Sequence, residues 1–274
     1  MPCFVCLNDR QALVHPYLCS VPGNDVPGFH LIGSGNRSFL EHFDKLWGPK
    51  WILFDLGNVL ISFDHGNVPM NLMKYFPENY RSMAFRDELR QFFFVGSEGA
   101  SRNTMLDHGD HDIKWLHDEF LHAYSEICTN KPTLDEFEQA WSDIFTDDGH
   151  NNASECIHFA KQMGFRVAIA STTNAAHWKL LTNRYPVLTE VADRLFLSFQ
   201  LRYDKGQRGF FEKVLQATGS NGENHLLIDD KIDNINTAKA DPFKMLTWHV
   251  TTPIRKDGLA KCLRDLSPSW IPSP

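Results

Sequence analysis

Residues 51–64 read W-I-L-F-D-L-G-N-V-L-I-S-F-D, and this stretch decides the fold. Its first four residues are apolar, and their β-branched and aromatic content predicts a strand buried on both faces. Asp55 follows at once, and Gly57 and Asn58 permit a tight backbone loop. Open α/β sheets bind ligands outside the carboxyl ends of their strands. The stretch therefore places a carboxylate where such a sheet has its chemistry, with an ordinary turn aspartate as the alternative.

Helix and strand patterns alternate from Asn152 onward. The predicted strands are 165–170, 194–198, 225–228 and 245–250. This alternation predicts an α/β fold with a Rossmann-like, doubly wound parallel sheet. Residues 67–150 instead carry aromatic stripes at helical spacing, and Thr133 with Glu136 forms a capping box. We therefore expect an α/β core from residues 51–66 and 151–274, with an inserted helical module at 67–150.

Residues 1–50 have a different character, because prolines and glycines interrupt them too often for long helices or strands. We predict an irregular N-terminal extension. The extension contains soft and borderline ligands that suit a tetrahedral zinc ion, namely Cys3, Cys6, His15 and Cys19, with His30 as a substitute. The alternative is a set of separately buried thiols and a surface imidazole.

The composition narrows the class of partner. The chain of 274 residues has 27 Lys and Arg against 34 Asp and Glu, a formal charge of -7, which argues against nucleic acid or an anionic membrane as the main partner. Six scattered cysteines and a start without a secretory leader pattern predict a cytoplasmic protein with reduced thiols. We also expect no membrane span, since no apolar run approaches the ~20 residues that a helix needs.

Polar residues follow four of the predicted strands, and the carboxyl ends of parallel strands meet at one edge of a sheet. These residues are Asp55, Ser171, Lys205 and the pair Asp229-Asp230. Carboxylates offer the hard oxygen ligands that magnesium prefers, while lysine and serine hold phosphoryl oxygens. Adjacent aspartates repel each other without a cation. The set indicates a site for a phosphate and a divalent cation, with a surface turn as the alternative for the acidic pair.

Four motifs resemble those of the haloacid dehalogenase superfamily and occur in the same order: F-D-L-G-N-V-L-I-S-F-D, A-I-A-S-T-T-N, R-Y-D-K and L-I-D-D-K-I-D-N-I. More narrowly, D-L-G-N-V resembles the first motif of bacterial sugar-phosphate phosphatases related to the N-terminal domain of soluble epoxide hydrolase. The segments L-D-H-G-D-H-D and T-L-D-E-F-E-Q-A-W-S-D-I-F are similar to the cap of that subfamily. The resemblance runs from about Trp51 to Val250.

The resemblance implies a magnesium-dependent phosphatase that hydrolyses a small, sugar-phosphate-like monoester. Asp55 would be the nucleophile that forms an aspartyl-phosphate, and Ser171, Thr172 and Lys205 would bind the phosphoryl group. The implied magnesium ligands are Asp55, the carbonyl of Gly57, Asp229 and Asp230. The helical module would be a cap that closes over the substrate.

Three positions depart from the family pattern. Gly57 stands where phosphatases of the superfamily usually have a second aspartate as general acid and base. The related subfamily shares this glycine, which argues against simple inactivation, and Asp64, His65 and His108 are candidates to supply the proton. Thr172 occupies a position where the family usually has an asparagine, and Gly206 one where it usually has a proline.

Two other functions stay open: a catalytically weakened phosphate- or protein-binding module with partner contacts on the N-terminal extension, and a haloacid dehalogenase that needs no metal. The acidic pair argues against the dehalogenase, because it would hinder an anionic substrate.

Overall fold

The computed structural model describes residues 6–8, 11–13, 49–96, 99–146 and 152–266. The chain divides into two compact units, Met1–Trp47 and Gly48–Pro274. In the first unit, β1 (Cys6–Asn8) and β2 (Gln11–Leu13) pair antiparallel. The predicted zinc ligands Cys3, His15 and Cys19, and the substitute His30, lie outside the described residues, and only the backbone of Cys6 is described. The zinc site therefore stays a prediction.

Within the described residues of the second unit, five strands form one parallel sheet. They are β3 (Trp51–Phe54), β4 (Arg166–Ser171), β5 (Arg194–Leu197), β6 (His225–Asp229) and β7 (Leu246–His249). Their order is β5-β4-β3-β6-β7. From the central strand β3 the chain adds β4 and β5 on one side and then β6 and β7 on the other, so the strand order reverses at β3. This arrangement confirms the predicted doubly wound α/β fold.

Helices connect the strands, and several of them follow one another between β3 and β4. They are α1 (Asn67–Leu72), α2 (Met83–Phe94), α3 (Arg102–Asp107), α4 (Ile113–Tyr124), α5 (Leu134–Ser142), α6 (Asn152–Gln162), α7 (Ala175–Arg184), α8 (Val187–Glu190), α9 (Ser198–Leu201), α10 (Arg208–Thr218), α11 (Ile232–Lys239) and α12 (Lys256–Asp265). Short 3-10 turns lie at Met73–Tyr75, Glu78–Tyr80 and Gly222–Asn224. In the part of the chain that the structure describes, none of the helices has the length and apolar character to cross a membrane.

The two faces of the sheet contribute to separate hydrophobic clusters, because successive side chains of a strand point to opposite faces. Ile52 and Phe54 belong to the larger cluster, which also includes the aromatic residues of α2, α4 and α5. Trp51 and Leu53 belong to the smaller cluster, with Phe210 of α10 among its members. Strand β3 is therefore buried on both sides, as its apolar sequence predicts.

Helices α1–α5 begin and end at neighbouring points of the α/β core. Phe63 and Phe145 form an antiparallel bridge where the chain leaves and returns, and the Asp64 N–H donates to the Ile144 carbonyl at 2.9 Å. The start of α5 has the predicted capping box: the Thr133 hydroxyl accepts from the Glu136 N–H, and the Glu136 carboxylate accepts from the Thr133 N–H. The base of this helical segment is thus held close to the end of β3.

Candidate active site

The carboxyl edge of the sheet brings three of the predicted site residues into direct contact. Lys205 follows α9, and its Nζ lies 2.7 Å from Asp55 Oδ1 and 2.6 Å from Asp229 Oδ2. Asp55 and Asp229 extend two neighbouring strands, and the Asp55 N–H donates to the Ile228 carbonyl of β6 at 3.0 Å. All three side chains are buried. The parallel register therefore fixes one lysine between two carboxylates.

Asp230 completes an acidic cluster with Asp55 and Asp229. One oxygen of each carboxylate lies within 4.8 Å of the others. The tight loop after β3 contributes Asn58, whose Nδ2 donates to Asp230 Oδ2 at 3.4 Å, and Asn58 has the positive φ of 56° that this loop requires. Asn234 donates to Asp229 Oδ1 at 2.9 Å from the first turn of α11. These contacts hold the carboxylates in place around a common centre.

The donor set of this cluster fits magnesium. Three carboxylates converge on one point, and hard oxygen ligands are those that Mg²⁺ prefers. Lys205 supplies one positive charge against three negative charges, so the cluster can accept a divalent cation. Gly57 lies in the same loop two residues after Asp55, and its carbonyl stays a predicted ligand.

Burial and the neighbouring charges both change the pKa values of Asp55 and Lys205. Burial raises the pKa of Asp55 to about 6, with the charge of Lys205 lowering it and that of Asp229 raising it. Against the effect of burial, Asp229 and Asp55 raise the pKa of Lys205. Lys205 is therefore a fixed cation beside the predicted nucleophile.

The residues at the end of β4 lie next to the same lysine. Ser171 is the last residue of β4 and is buried. The Thr172 hydroxyl accepts from the Lys205 N–H at 3.4 Å, so these two predicted phosphate-binding residues are brought together. Asn174 then caps α7, its side chain accepting from the His177 N–H at 3.1 Å. The roles predicted for Ser171 and Thr172 stay predictions.

The position of the missing second aspartate is filled by an aromatic ring. A Cβ on Gly57 would lie 2.4 Å from Cε1 and 2.8 Å from Cδ1 of Phe63. Gly57 is thus required by the packing of Phe63 against this loop, in addition to the turn itself. The general acid that the resemblance implies would therefore have to come from another part of the molecule.

The three candidates for that role have different surroundings. Asp64 is exposed and accepts from the Gly66 N–H at 2.7 Å, as an aspartate in a turn does. His108 Nε2 lies 3.2 Å from Asp204 Oδ2. His65 lies between the rings of Phe63 and Phe94, with centroid distances of 4.7 and 4.8 Å. Burial lowers the pKa of His65 to about 4, and the charge of Lys231 acts in the same direction. His65 is therefore neutral at physiological pH.

Asp107 begins the segment 107–112, which the resemblance predicts to face the site from the cap. Its carboxylate accepts from Asn174 Nδ2 at 3.0 Å and from Asn103 Nδ2 at 2.7 Å. Burial raises the pKa of Asp107 to about 6, while these hydrogen bonds and the charge of Lys231 lower it. The backbone carbonyl of Asp107 also accepts from the Ser198 hydroxyl at 2.6 Å. Asp107 therefore connects α3 to residues that follow β4 and β5.

A cavity of about 650 Å³ lies beside Asn174. It is lined by the segment 109–113 together with Trp115, Lys179 and Arg202, among others, and by none of Asp55, Ser171, Lys205, Asp229 and Asp230. We assign this cavity no part in the chemistry of the acidic cluster.

Comparison with known proteins agrees with this architecture. Residues 49–240 match the family model described as haloacid dehalogenase-like hydrolase. The chain is 23% identical over 195 residues to D-ribitol-5-phosphate phosphatase of Bacteroides thetaiotaomicron. The aligned region covers 69% of this chain and 87% of that relative.

Two solved structures share the fold. One is a mutant of a haloacid dehalogenase (HAD) family enzyme of Bacteroides thetaiotaomicron in complex with magnesium and inorganic phosphate (TM-score 0.63, 18% identity, 78% of this chain and 99% of that one). The other is a predicted HAD-like family hydrolase of Porphyromonas gingivalis (TM-score 0.62, 16% identity, 80% and 99%). The family match covers well over half of the chain and confirms the resemblance of its motifs, so this chain belongs to the haloacid dehalogenase-like hydrolases.

Proposed function

We propose that this hydrolase is a magnesium-dependent phosphatase of small, sugar-phosphate-like monoesters. The observation that carries the proposal is Lys205 Nζ, which lies within 2.7 Å of both Asp55 and Asp229 in a cluster of three carboxylates. A nucleophilic carboxylate can approach a phosphate dianion only where positive charge offsets their repulsion. The phosphatase name of the curated relative, and the magnesium and phosphate in a structural neighbour, support the same activity.

The proposed reaction has two steps. An Asp55 oxygen forms a bond to phosphorus while the bond from phosphorus to the leaving oxygen breaks, which gives an aspartyl-phosphate. Water then attacks phosphorus, inorganic phosphate leaves, and the Asp55 carboxylate is restored. The Leu56 N–H donates to Asp55 Oδ1 at 2.7 Å and Lys205 contacts the same oxygen, so these groups orient the nucleophile. Asp55, Asp229, Asp230 and the Gly57 carbonyl would hold Mg²⁺, which supplies positive charge beside the phosphoryl oxygens when bound.

The leaving group is where this site differs from a typical phosphatase. The ring of Phe63 offers no proton at the position beside Gly57. Loss of one general acid commonly lowers a rate by roughly 10²–10⁴-fold. We therefore expect faster hydrolysis of aryl phosphates and sugar 1-phosphates, whose leaving groups need little protonation, than of simple alkyl phosphates.

We further propose that residues 67–150 form the cap and that residues 51–66 and 151–274 form the α/β core. Several contacts join the two parts: Asp107 with Asn174, the Asp107 carbonyl with Ser198, and Arg202 with Asp110 at 3.2 Å. Gly109, with φ of 71°, approaches the Phe199 carbonyl so closely that a Cβ would lie 2.4 Å from it. A cytoplasmic location and a protein partner of the N-terminal extension stay predictions.

The experiment is a rate comparison over aryl and alkyl phosphates of graded leaving-group pKa, with magnesium and with chelator. We expect hydrolysis only with magnesium, and rates that fall steeply as the leaving-group pKa rises. Release of chloride from a 2-chloro acid in chelator would favour the dehalogenase instead. Binding of phosphate without turnover of any ester would favour the weakened binding module.

A further inference from the structure

Ser198 joins the end of α3 to the segment that follows β4. Its side chain is buried, and its hydroxyl accepts from the Thr173 N–H at 2.9 Å. The single proton of this hydroxyl can be donated to either of two carbonyl oxygens, that of Asp107 at 2.6 Å or that of Thr173 at 2.9 Å. Because one buried hydroxyl serves both backbones, the position of Thr173 is coupled to that of Asp107.

Asn174 makes a second connection between the same two segments. Its side chain is buried, and its amide donates to Asp107 Oδ1 and to His177 Nδ1, both at 3.0 Å. The other carboxylate oxygen of Asp107 accepts from Asn103 Nδ2 at 2.7 Å. The carboxylate thus bridges α3 and the segment after β4, and its loss would leave a buried amide without one of its acceptors, which costs free energy.

The segment held in this way contains predicted phosphate-binding residues. Thr172 directly precedes Thr173, and its hydroxyl accepts from the Lys205 N–H at 3.4 Å. Lys205 Nζ in turn lies 2.7 Å from Asp55 Oδ1. A continuous series of contacts therefore leads from Asp107 through Thr173 and Thr172 to the acidic cluster.

The residue after Asp107 contacts the other segment that carries a predicted phosphate-binding residue. His108 Nε2 lies 3.2 Å from Asp204 Oδ2, and Asp204 Oδ1 accepts from the Gly206 N–H at 3.0 Å. Asp204 directly precedes Lys205. Two adjacent residues at the end of α3 are thus in contact with both segments.

We propose that Asp107 is a positioning residue, whose carboxylate and backbone carbonyl hold residues 171–174 in the geometry that binds the phosphoryl group. This inference rests on the proposed phosphatase function. Asp107 accepts hydrogen bonds in this role and passes no proton to the leaving group. A displacement of about 1 Å in a reactive site can lower a rate by about 100-fold, and coupling between two sites commonly changes an affinity by about 5- to 150-fold.

Three substitutions separate the contacts of Asp107 from its charge. Asp107→Asn keeps an oxygen that accepts from Asn174, and its amide can donate to Asn103 once the Asn103 amide turns over. The Oδ1 atom of Asn103 is buried and has no hydrogen-bond partner among the described residues, so this exchange needs no other change. Asp107→Ala removes both contacts of the carboxylate, and Ser198→Ala removes the hydroxyl between Asp107 and Thr173.

The probe is inorganic phosphate with magnesium, whose Kd is measured by calorimetry on the intact protein, together with kcat/KM for p-nitrophenyl phosphate and for alkyl phosphates. We expect Asp107→Ala and Ser198→Ala to raise the Kd by about 10-fold and to lower kcat/KM by about 10- to 100-fold. Asp107→Asn should retain most of the affinity and of the rate, because it retains the hydrogen bonds.

Thr133→Ala is the control for a loss of stability in the helical segment. It removes the N-cap of α5 at an exposed position, and Thr133 contacts none of residues 171–174 in the hydrogen bonds of the capping box. We expect a lower thermal midpoint with an unchanged Kd for phosphate.

Three results would overturn the proposal. An unchanged Kd in Asp107→Ala and Ser198→Ala would remove the positioning role, and an equal rise in Thr133→Ala would assign the effect to the stability of the helical segment. If Asp107→Asn bound phosphate normally but lost turnover of alkyl phosphates, Asp107 would be a proton donor instead. All three results leave the phosphatase in place. If the wild-type protein hydrolysed no ester yet bound phosphate with the expected dependence on Asp107 and Ser198, the phosphatase would fail and the positioning role would stand.

Discussion

The ring of Phe63 lies where a side chain on Gly57 would have to be, with Cε1 only 2.4 Å from the place of a Cβ. Phosphatases of the superfamily usually have an aspartate at the position of Gly57, whereas the subfamily whose D-L-G-N-V motif this chain resembles shares the glycine. Here the loss of the carboxylate and the packing of Phe63 are two parts of one arrangement, because neither residue can change alone without a clash or a void.

Restoring the aspartate should therefore need two substitutions. Gly57→Asp alone should destabilise the fold by about 1–3 kcal/mol, because the new side chain overlaps the ring. Gly57→Asp with Phe63→Ala removes the overlap and supplies a carboxyl group beside the leaving oxygen. We expect this double variant to hydrolyse alkyl phosphates roughly 10²–10⁴ times faster than Phe63→Ala alone. Urea unfolding and steady-state rates measure the two effects. A Gly57→Asp protein as stable as the wild type would show that Phe63 does not restrict this position.

Asp55→Asn should abolish turnover and preserve the fold. The amide is nearly isosteric but is a poor nucleophile, and removal of a catalytic nucleophile commonly lowers kcat by about 10⁴-fold or more. Lys205 keeps its partner Asp229 at 2.6 Å, and the mutual repulsion of three carboxylates is reduced to that of two. Steady-state rates measure the loss of turnover, and circular dichroism shows whether the fold is preserved. Asp257→Asn, at an exposed position of α12, is the control for loss of one negative charge. Wild-type turnover by Asp55→Asn would rule out the covalent mechanism.

Magnesium should stabilise the protein independently of catalysis. An ion that binds only the folded state at 100 times its Kd adds about 2.7 kcal/mol, which for a unit of this size corresponds to roughly 5–10 °C in the thermal midpoint. Asp230→Asn should reduce this shift, since it removes one of three converging carboxylates. Asp233→Asn, which removes an exposed charge from the first turn of α11, should keep it. An equal shift in the two variants would place the ion elsewhere.

The sequence predicts much of the α/β core because its signals are local. Strands β5 and β6 begin where their patterns predict, at Arg194 and His225. The parallel register then brings Asp55 and Asp229 together, since both extend adjacent strands. A residue type at a strand end, combined with a sheet of known topology, is enough to locate the acidic cluster.

Tertiary contacts are what the sequence leaves out. Helix α3 has six residues, too few for a periodic pattern, and its last residue Asp107 pairs with Asn174, 67 positions away. The overlap of Phe63 with the side-chain position of Gly57 is likewise visible only in three dimensions. Ser198, predicted as the end of a strand, instead begins α9 and donates to the carbonyl of Asp107.

Acid sensitivity should come in part from His177 of α7. The ring is buried, with Nε2 3.1 Å from the Trp141 carbonyl and Nδ1 3.0 Å from Asn174 Nδ2, so a neutral imidazole donates through Nε2 and accepts through Nδ1. Burial lowers the pKa of His177 to about 3, against about 6.5 in an unfolded chain. Between these values the unfolded chain binds a proton that the folded protein does not, so stability falls as the pH is lowered.

From pH 7 to pH 5 this one group should remove about 2 kcal/mol of unfolding free energy. His177→Gln can still donate to the Trp141 carbonyl, but it has no proton to bind. The variant should be less stable than the wild type at pH 7 by about 1–3 kcal/mol, because the fit of the ring is lost, yet its stability should decline less toward pH 5. Urea unfolding at several pH values measures both curves, and His158→Gln, at an exposed position of α6, should follow the wild type. Parallel curves for His177→Gln and the wild type would mean that the acid response arises at other groups, of which His65 between Phe63 and Phe94 is the next to test.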